Sequence, residues 1–226
     1  MTVHLQRDLD SIRRQLMEVG ALVEEATNKA ITALIDRRTE LVDGVIEGDS
    51  LIDEKEVQVE EACLKALALH QPVAIDLRYI VVVMKVNNDL ERMGDLASNI
   101  AARAAYLSTH EPLDLPIDVR KMAKTVQSML HDSLDALVRS DTTLARGVLR
   151  ADDLVDDFLK QMFDGMQRTM VEDSSTVKRA VHYLSAARHL ERIADLATNI
   201  AEDVIYMSDG EVIRHGLSNS VGSETD

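Results

Sequence analysis

Residues 90–101, LERMGDLASNIA, recur one hundred positions later as LERIADLATNIA at residues 190–201. Nine of the twelve positions are identical in the two stretches, and the three replacements are small. A repeat of this kind indicates that the chain was built by duplication, so its chemistry is expected to occur twice. The matching continues upstream, where residues 41–53 correspond to residues 144–156 at an offset of 103.

The composition favours a helical protein. Of the 226 residues 46% are hydrophobic, but only six are aromatic and three are proline, a mixture that favours helix over strand. The net charge of −15 would repel nucleic-acid phosphates and excludes a basic nucleic-acid groove, whereas it suits cations or a basic protein surface. The single cysteine, Cys63, allows no internal disulfide, which fits a reducing cytoplasm.

Apolar residues recur in steps of three and four along most of the chain, which is the spacing of helices packed in a bundle. No alternating strand pattern occurs. The longest aliphatic run is far shorter than the roughly 20 residues that span a bilayer, so no direct membrane insertion is expected. The pattern predicts six helices, at about Leu5–Asp36, Glu40–Leu69, Pro72–Leu107, from Val119 onward, Thr142–Met170 and Ser175–Met207.

The duplication and the helices together predict an all-α fold of two pseudo-symmetric antiparallel three-helix bundles. Pro72 is expected in the first turn of the third helix, where a missing N–H is tolerated. Residues 108–116, STHEPLDLP, form the predicted linker. The predicted domains are residues 1–109 and residues 117–208, followed by a mobile acidic and polar tail at residues 209–226.

Each repeat carries two pairs of acidic residues one helical turn apart, and the second pair is followed one turn later by an asparagine. Like charges at this spacing cost a few tenths of a kcal/mol unless a cation offsets them. Antiparallel neighbouring helices would bring the two pairs together, so that each half gathers four carboxylates. The candidate metal ligands are Asp49, Asp53, Glu91, Asp95 and Asn99 in the first half, and Asp152, Asp156, Glu191, Asp195 and Asn199 in the second.

Carboxylate and amide oxygens suit hard cations such as magnesium, manganese and calcium. Iron is a further candidate, because helical bundles rich in carboxylates hold di-iron centres. Those centres use a Glu-x-x-His motif that is absent from this chain, which argues against oxygen-activating chemistry. The sequence therefore predicts a divalent or iron cation (Mg, Mn, Fe, Ca or Zn) of open identity. The alternative is a charged helix face without metal, because most surface charges have no specific role.

No enzyme is expected, because no phosphate-binding glycine loop, nucleophile elbow or metalloprotease motif occurs. Two other functions stay open at this point. One is a metal-dependent helical-bundle enzyme, either a phosphohydrolase or a carboxylate-bridged metal oxidase. The other is a passive scaffold that binds no metal.

Three features together resemble the PhoU family over about residues 5–208. They are the doubled E-x-x-x-D-x-x-x-N helices, the preceding segments GDSLID (48–53) and ADDLVD (151–156), and the six-helix duplicated layout. The resemblance implies two three-helix bundles whose E/D-x-x-x-D motifs hold metal ions, in some members multinuclear iron clusters. It assigns the same eight carboxylates to two metal sites, with the two asparagines as ligands or outer hydrogen-bond donors.

The resemblance also implies a non-enzymatic negative regulator of high-affinity phosphate uptake and phosphate-starvation signalling. The expected partners are the ATPase of the phosphate ABC transporter, the phosphate sensor histidine kinase, and a second copy of the chain in a homodimer. Such a protein would be cytoplasmic and would lie at the inner face of the membrane through its partners.

Overall fold

The computed structural model describes residues 3–209, and it contains no strand within them. Short 3-10 turns, Thr39–Leu41 and Ser174–Thr176, precede the second and the sixth helix. The predicted all-α fold with six long helices is confirmed, and the predicted helix ends lie within two residues of those observed. The helices are α1 Val3–Asp36, α2 Val42–His70, α3 Ala74–Ser108, α4 Val119–Arg139, α5 Thr142–Glu172 and α6 Val177–Asp209.

The junction between α2 and α3 differs from the prediction. Pro72 is predicted in the first turn of α3, and that prediction is wrong, because α3 begins at Ala74. Gln71 ends α2 in the left-handed conformation (φ 46°), and its N–H donates to the backbone oxygen of Leu67 at 3.1 Å. The ring of a proline disfavours the right-handed helical conformation in the residue before it. Pro72 therefore terminates α2 instead of opening α3.

Each half of the chain forms an antiparallel three-helix bundle in which every helix packs against the other two. The halves join mainly through α3 on α6, with a smaller contact of α1 on α4. The interior is aliphatic, and residues such as Val86, Leu90 and Ile193 are fully buried. Because α2 and α5 pack mainly within their own halves, they lie on the outside of the molecule.

Two expectations about the ends of the domains are not decided by this architecture. The boundaries predicted at residues 109 and 117 remain a prediction. Apart from Asp209, the tail predicted at residues 209–226 lies outside the described residues. Within residues 3–209, no helix has both the length and the apolar character needed to cross a membrane.

Two contacts define how α3 and α6 run against each other. Lys85 Nζ lies 2.9 Å from Asp203 Oδ1, and the ring of Tyr106 stacks on that of His182 with 3.6 Å between centroids. Residue numbers that rise along one helix therefore fall along the other, so the two helices are antiparallel. Because the repeats are offset by one hundred residues, the two copies of the motif face each other across an approximate twofold axis.

The linker between the halves is packed against the molecule at both ends. Arg37 Nη2 donates to the backbone oxygen of Ser108 at 2.9 Å and also to that of His110. Farther along, Pro116 lies on α5 at Gly165, where a Cβ atom would overlap the proline ring. The linker is thus held by specific contacts, and one of them requires a glycine.

Candidate cation-binding clusters and the groove between them

The first cluster of carboxylates lies between α2 and α3. The predicted ligands Asp49 and Asp53 lie on α2, and Glu91 and Asp95 lie on α3. Burial, and then the negative charges of Asp95 and Asp53, raises the pKa of Asp49. Burial and the same two charges also raise the pKa of Glu91. The structure thus brings the four carboxylates together, and no basic side chain offsets either shift.

Gly94 allows α2 and α3 to approach each other closely beside this cluster. A Cβ atom at position 94 would lie 3.0 Å from Ile52 Cδ1 and 3.2 Å from Asp49 Oδ1, which is tighter than close-packed protein interiors allow without displacement. The second repeat has Ala194 at the equivalent position, and its methyl group is fully buried. The two repeats therefore differ in the space between their helices at the centre of the shared motif.

The second cluster lies between α5 and α6, with Asp152 and Asp156 on α5 and Glu191 and Asp195 on α6. Burial raises the pKa of Asp152 to about 6, and the charges of Asp156 and Asp195 add to that effect. Burial also raises the pKa of Glu191 and that of Asp195. The Oδ1 atom of Asp152 is buried and accepts no hydrogen bond from residues 3–209. Buried polar atoms nearly always have a partner, so an unpartnered one is unusual. With no hydrogen bond to accept, this oxygen is available to a cation.

The first cluster contains a fifth carboxylate that the duplication does not indicate. Glu56 lies three residues beyond Asp53, and its charge contributes to the raised pKa of Glu91. Asn87 Nδ2 donates to both the backbone oxygen and Oε1 of Glu56, each at 2.9 Å. The second repeat has Leu159 at the position equivalent to Glu56. The signal that identifies Glu56 is its spacing from Asp53, which places both side chains on one helix face.

The two predicted asparagines lie in a groove between α3 and α6. Asn99 Nδ2 donates to the backbone oxygen of Asp95 at 2.9 Å. Asp95 and Asp195 line the groove as well as belonging to the clusters, so the groove connects the two clusters across the approximate twofold axis. It has a volume of about 540 Å³ and is lined by Arg92, Asp95, Asn99, His189, Arg192, Asp195, Asn199 and Glu202, among others.

The donor groups of the two clusters fit hard cations, although they are not arranged as closed coordination shells. Over residues 3–209, no three Asp, Glu, His or Cys side chains converge closely enough to enclose one ion as they stand. The clusters do supply carboxylate oxygens whose pKa is raised by burial and mutual repulsion. A bound cation would offset that repulsion. The ligand roles of the ten predicted residues stay a prediction.

Cys63 is unsuited to nucleophilic chemistry. It is fully buried in α2, and burial raises its pKa to about 11. The thiolate is the reactive form of cysteine, and at neutral pH a thiol with this pKa is almost entirely protonated. The side chain acts as a small apolar filler in the core.

The sequence matches the PhoU domain twice, over residues 16–104 and over residues 119–204. It is 42% identical over 211 residues to the phosphate-specific transport system accessory protein PhoU homolog of Aquifex aeolicus, an alignment that covers 93% of this chain and 96% of that protein. It is 36% identical over 208 residues to the phosphate-specific transport system accessory protein PhoU of Serratia marcescens, covering 92% and 86% of the two chains.

Two crystal structures have the same architecture. PhoU from Pseudomonas aeruginosa superposes with a TM-score of 0.89 at 39% sequence identity, covering 91% of this chain and 99% of that one. The phosphate transport system regulatory protein PhoU from Streptococcus pneumoniae superposes with a TM-score of 0.84 at 28% identity, covering 92% and 98%. The duplicated six-helix fold is common to all three proteins.

Proposed function

This chain belongs to the PhoU family, and we propose that it is a non-enzymatic negative regulator of high-affinity phosphate uptake and of phosphate-starvation signalling. The observation that carries the proposal is similarity along nearly the whole chain to proteins named as accessory proteins of phosphate-specific transport systems. Both repeats match the PhoU domain, so the proposal applies to both halves of the molecule.

The proposed mode of action is contact with other proteins. The partners are the ATPase of the phosphate ABC transporter and the phosphate sensor histidine kinase, which a homodimer would bind in the cytoplasm at the inner face of the membrane. The outer helix α2 supports this, because it exposes acidic residues such as Glu47 and Glu61 beside the apolar side chains of Val57 and Leu64. Acidic surfaces steer association with basic partners, and exposed apolar side chains supply contact area.

We further propose that the two carboxylate clusters bind metal ions of the magnesium, manganese or iron type. The support is the donor chemistry, the raised pKa of Asp49, Glu91 and Asp152, and the unpartnered oxygen of Asp152. A cation held there would offset the mutual repulsion of the carboxylates. The cation would hold the carboxylates of α2 against those of α3, and the carboxylates of α5 against those of α6. It would thereby fix the positions of the outer helices α2 and α5, whose exposed faces are proposed to bind the partners.

Affinity purification from cells grown in high phosphate tests the regulatory proposal. Tagged wild-type protein is expected to recover the transporter ATPase or the sensor kinase. The variant Asp49→Asn/Asp95→Asn is expected to recover less, because it removes two charges from the first cluster. The control variant Asp132→Asn/Asp135→Asn removes two charges from α4 and should recover wild-type amounts. Failure of the wild-type protein to recover either partner would contradict the proposal.

A metal-dependent enzyme is the alternative function. A measurement of phosphate-ester hydrolysis distinguishes it from the proposed regulator. Protein loaded with Mn²⁺ or Fe²⁺ is expected to hydrolyse no phosphate ester. Reproducible hydrolysis that is lost in Asp95→Ala and kept in Asp132→Ala would establish the enzyme instead. Metal binding with neither hydrolysis nor partner recovery would contradict the regulatory role while leaving the metal proposal intact.

A further inference from the structure

A cavity of about 300 Å³ lies where the beginnings of α1 and α3 meet the ends of α4 and α6. Ile75 of α3 lines this cavity and is 72% exposed to solvent. Met207 and Ser208 of α6 also line it, and the structure describes the chain as far as residue 209. The residues that follow α6 in the sequence therefore start at the edge of the cavity.

The duplication extends beyond the end of α6. Residues 106–113, YLSTHEPL, correspond to residues 206–213, YMSDGEVI, at the same offset of one hundred as the motif. The tyrosine, the serine and the glutamate are identical in the two stretches, and the two leucines are replaced by methionine and isoleucine. Because apolar side chains recur at the same places, the second segment is expected to pack as the first one does.

The segment that follows α3 is folded back onto the molecule. Arg37 Nη2 donates to the backbone oxygen of His110. Arg179 Nη1 donates to the backbone oxygen of Glu111 at 3.2 Å. Leu113 is half-buried and packs against the hydrophobic core. Two arginines thus hold the backbone of this segment, and an apolar side chain anchors it beside them.

The positions equivalent to these two arginines line the cavity. Arg37 corresponds to Ser140 at the offset of 103, and both residues adopt the left-handed conformation (φ 57° and 52°). Arg179 corresponds to Tyr79 at the offset of one hundred, and both Tyr79 and Ser140 line the cavity. Their hydroxyl groups can donate to backbone oxygens as the guanidinium groups do. The approximate twofold axis would therefore carry the segment that follows α3 onto a segment that follows α6 and enters the cavity.

The charges of the cavity complement those of the sequence GEVIR at residues 210–214. Asp10 and Asp76 contribute carboxylates to the cavity, and Arg13 contributes a guanidinium group. In the sequence that follows α6, an acid and a base flank the apolar pair at residues 212–213. An apolar pair between charges of both signs fits a cavity that has apolar walls and also carries both signs of charge.

We propose that residues 210–214 of this chain dock in the cavity, with Val212 and Ile213 packed against Leu9 and Ile75. An extended chain advances about 3.3–3.6 Å per residue, so the apolar pair needs only three or four residues beyond the last described one to reach the cavity. This short connection gives the segment a high local concentration, which favours it over a second copy or another protein. The docked segment uses none of the predicted metal ligands and does not depend on the proposed regulatory function.

Limited proteolysis of the full-length protein with trypsin tests the docking. Arg214 is the only Lys or Arg among residues 209–226, so cleavage there is followed as the loss of residues 215–226 by mass spectrometry. The cleavage rate depends on the fraction of molecules in which the segment is undocked. Ile75→Ser removes an apolar contact from the cavity and should speed the cleavage at least about fivefold. The control Val171→Ser changes a side chain that is 81% exposed near the end of α5, and it should change the rate by less than about twofold.

The NMR signal of the Ile75 methyl group gives a second measurement, in which the cavity itself is unchanged. Ile213→Ser should shift this signal, whereas the control Val221→Ser, farther along the chain, should not. Equal cleavage rates in wild-type protein and in Ile75→Ser would overturn the proposal, as would an Ile75 signal that Ile213→Ser leaves unchanged. Protection of Arg214 that is lost on dilution of the protein would also overturn it, because the cavity would then hold the segment of a second copy.

Discussion

The two carboxylate clusters come from one duplicated motif, but their surroundings differ. The first has an additional carboxylate, Glu56, which Asn87 hydrogen-bonds, and it has Gly94 where α2 approaches α3. The second lacks these residues and contains Asp152, whose pKa is raised to about 6 by burial and whose Oδ1 accepts no hydrogen bond in the described chain. Both repeats keep the four repeated carboxylates, whereas Glu56 and the neutral neighbours that set burial and helix spacing differ between them. The response of each cluster to pH and to cations therefore depends on residues other than the repeated carboxylates.

The largest expected difference between the halves is at the linker. Pro116 packs on Gly165 of α5, whereas the equivalent position in α2 is Ala62. Gly165→Ala places a Cβ atom in the proline ring and should lower the free energy of unfolding by about 3 kcal/mol, as measured by urea denaturation. The control is Gly147→Ala, also in α5, where no atom lies closer than 4.0 Å. It should raise stability by up to about 1 kcal/mol, and equal effects of the two variants would refute this account.

Cation binding is expected to stabilise both halves. Mn²⁺ or Mg²⁺ at about 100 times its dissociation constant should add about 2.7 kcal/mol to the free energy of unfolding per site. Asp95→Asn and Asp195→Asn should each remove the gain from one cluster only, as followed by thermal unfolding with and without the ion. Asp132→Asn is the control and should keep the full gain. If Mn²⁺, Mg²⁺ and Fe³⁺ at millimolar concentration all leave the melting temperature unchanged, the clusters are not metal sites.

Exchange of the central small residue would make the two halves more alike. Gly94→Ala gives the first repeat the residue of the second, and the new methyl group meets Ile52 and Asp49. The variant should lose about 1–2 kcal/mol of stability. The reverse change, Ala194→Gly, should lose about 1 kcal/mol, because glycine has a lower helix propensity and leaves the space of a methyl group unfilled. Both values come from chemical denaturation, and a stabilising Gly94→Ala would show that α2 and α3 separate at little cost.

The smallest expected effect is the pH dependence of the second cluster in metal-free buffer. The pKa of Asp152 is raised from 3.8 in the unfolded chain to about 6 in the folded protein, so the folded state holds the proton more tightly. The contribution of Asp152 to the free energy of unfolding is fully present below pH 4 and is lost as the pH rises through 6. Asp152→Asn should abolish this loss and raise stability at pH 7 by about 1 kcal/mol, because solvent screens the exposed part of the carboxylate.

The matched control for this pH effect is the equivalent residue of the first half. The pKa of Asp49 is also raised, but Asp49 is less buried than Asp152, so Asp49→Asn should gain less at pH 7. The free energy of unfolding is measured from pH 4 to pH 8 for both variants and for the wild-type protein. A wild-type stability that does not fall between pH 4 and pH 7, or an Asp152→Asn variant that follows the wild-type curve, would contradict the assignment.

The fold and the carboxylate clusters were predictable because both depend on periodic spacing. Steps of three and four identify the buried face of each helix, and the same spacing places Asp49 beside Asp53 and Glu91 beside Asp95. The prediction failed at Pro72, because Gln71 and Ala74 adopt left-handed backbone conformations (φ 46° and 50°) that their residue types do not indicate. Glu56 was not predicted for another reason, because the predicted carboxylates are those that occur in both repeats and the second repeat has Leu159 at that position.

The sequence by itself determined the helical fold, its duplication and the two sets of acidic residues. The helices and the acidic pairs follow from the spacing of residues within a segment, and the duplication follows from the identity of two segments. Only the tertiary structure decided which helix faces meet. The antiparallel register of α3 and α6 places the asparagines in a shared groove and brings Arg103 of one repeat beside His182 and His189 of the other. Periodicity specifies the face that a helix buries, but the partner of that face depends on packing between segments that are far apart in the chain.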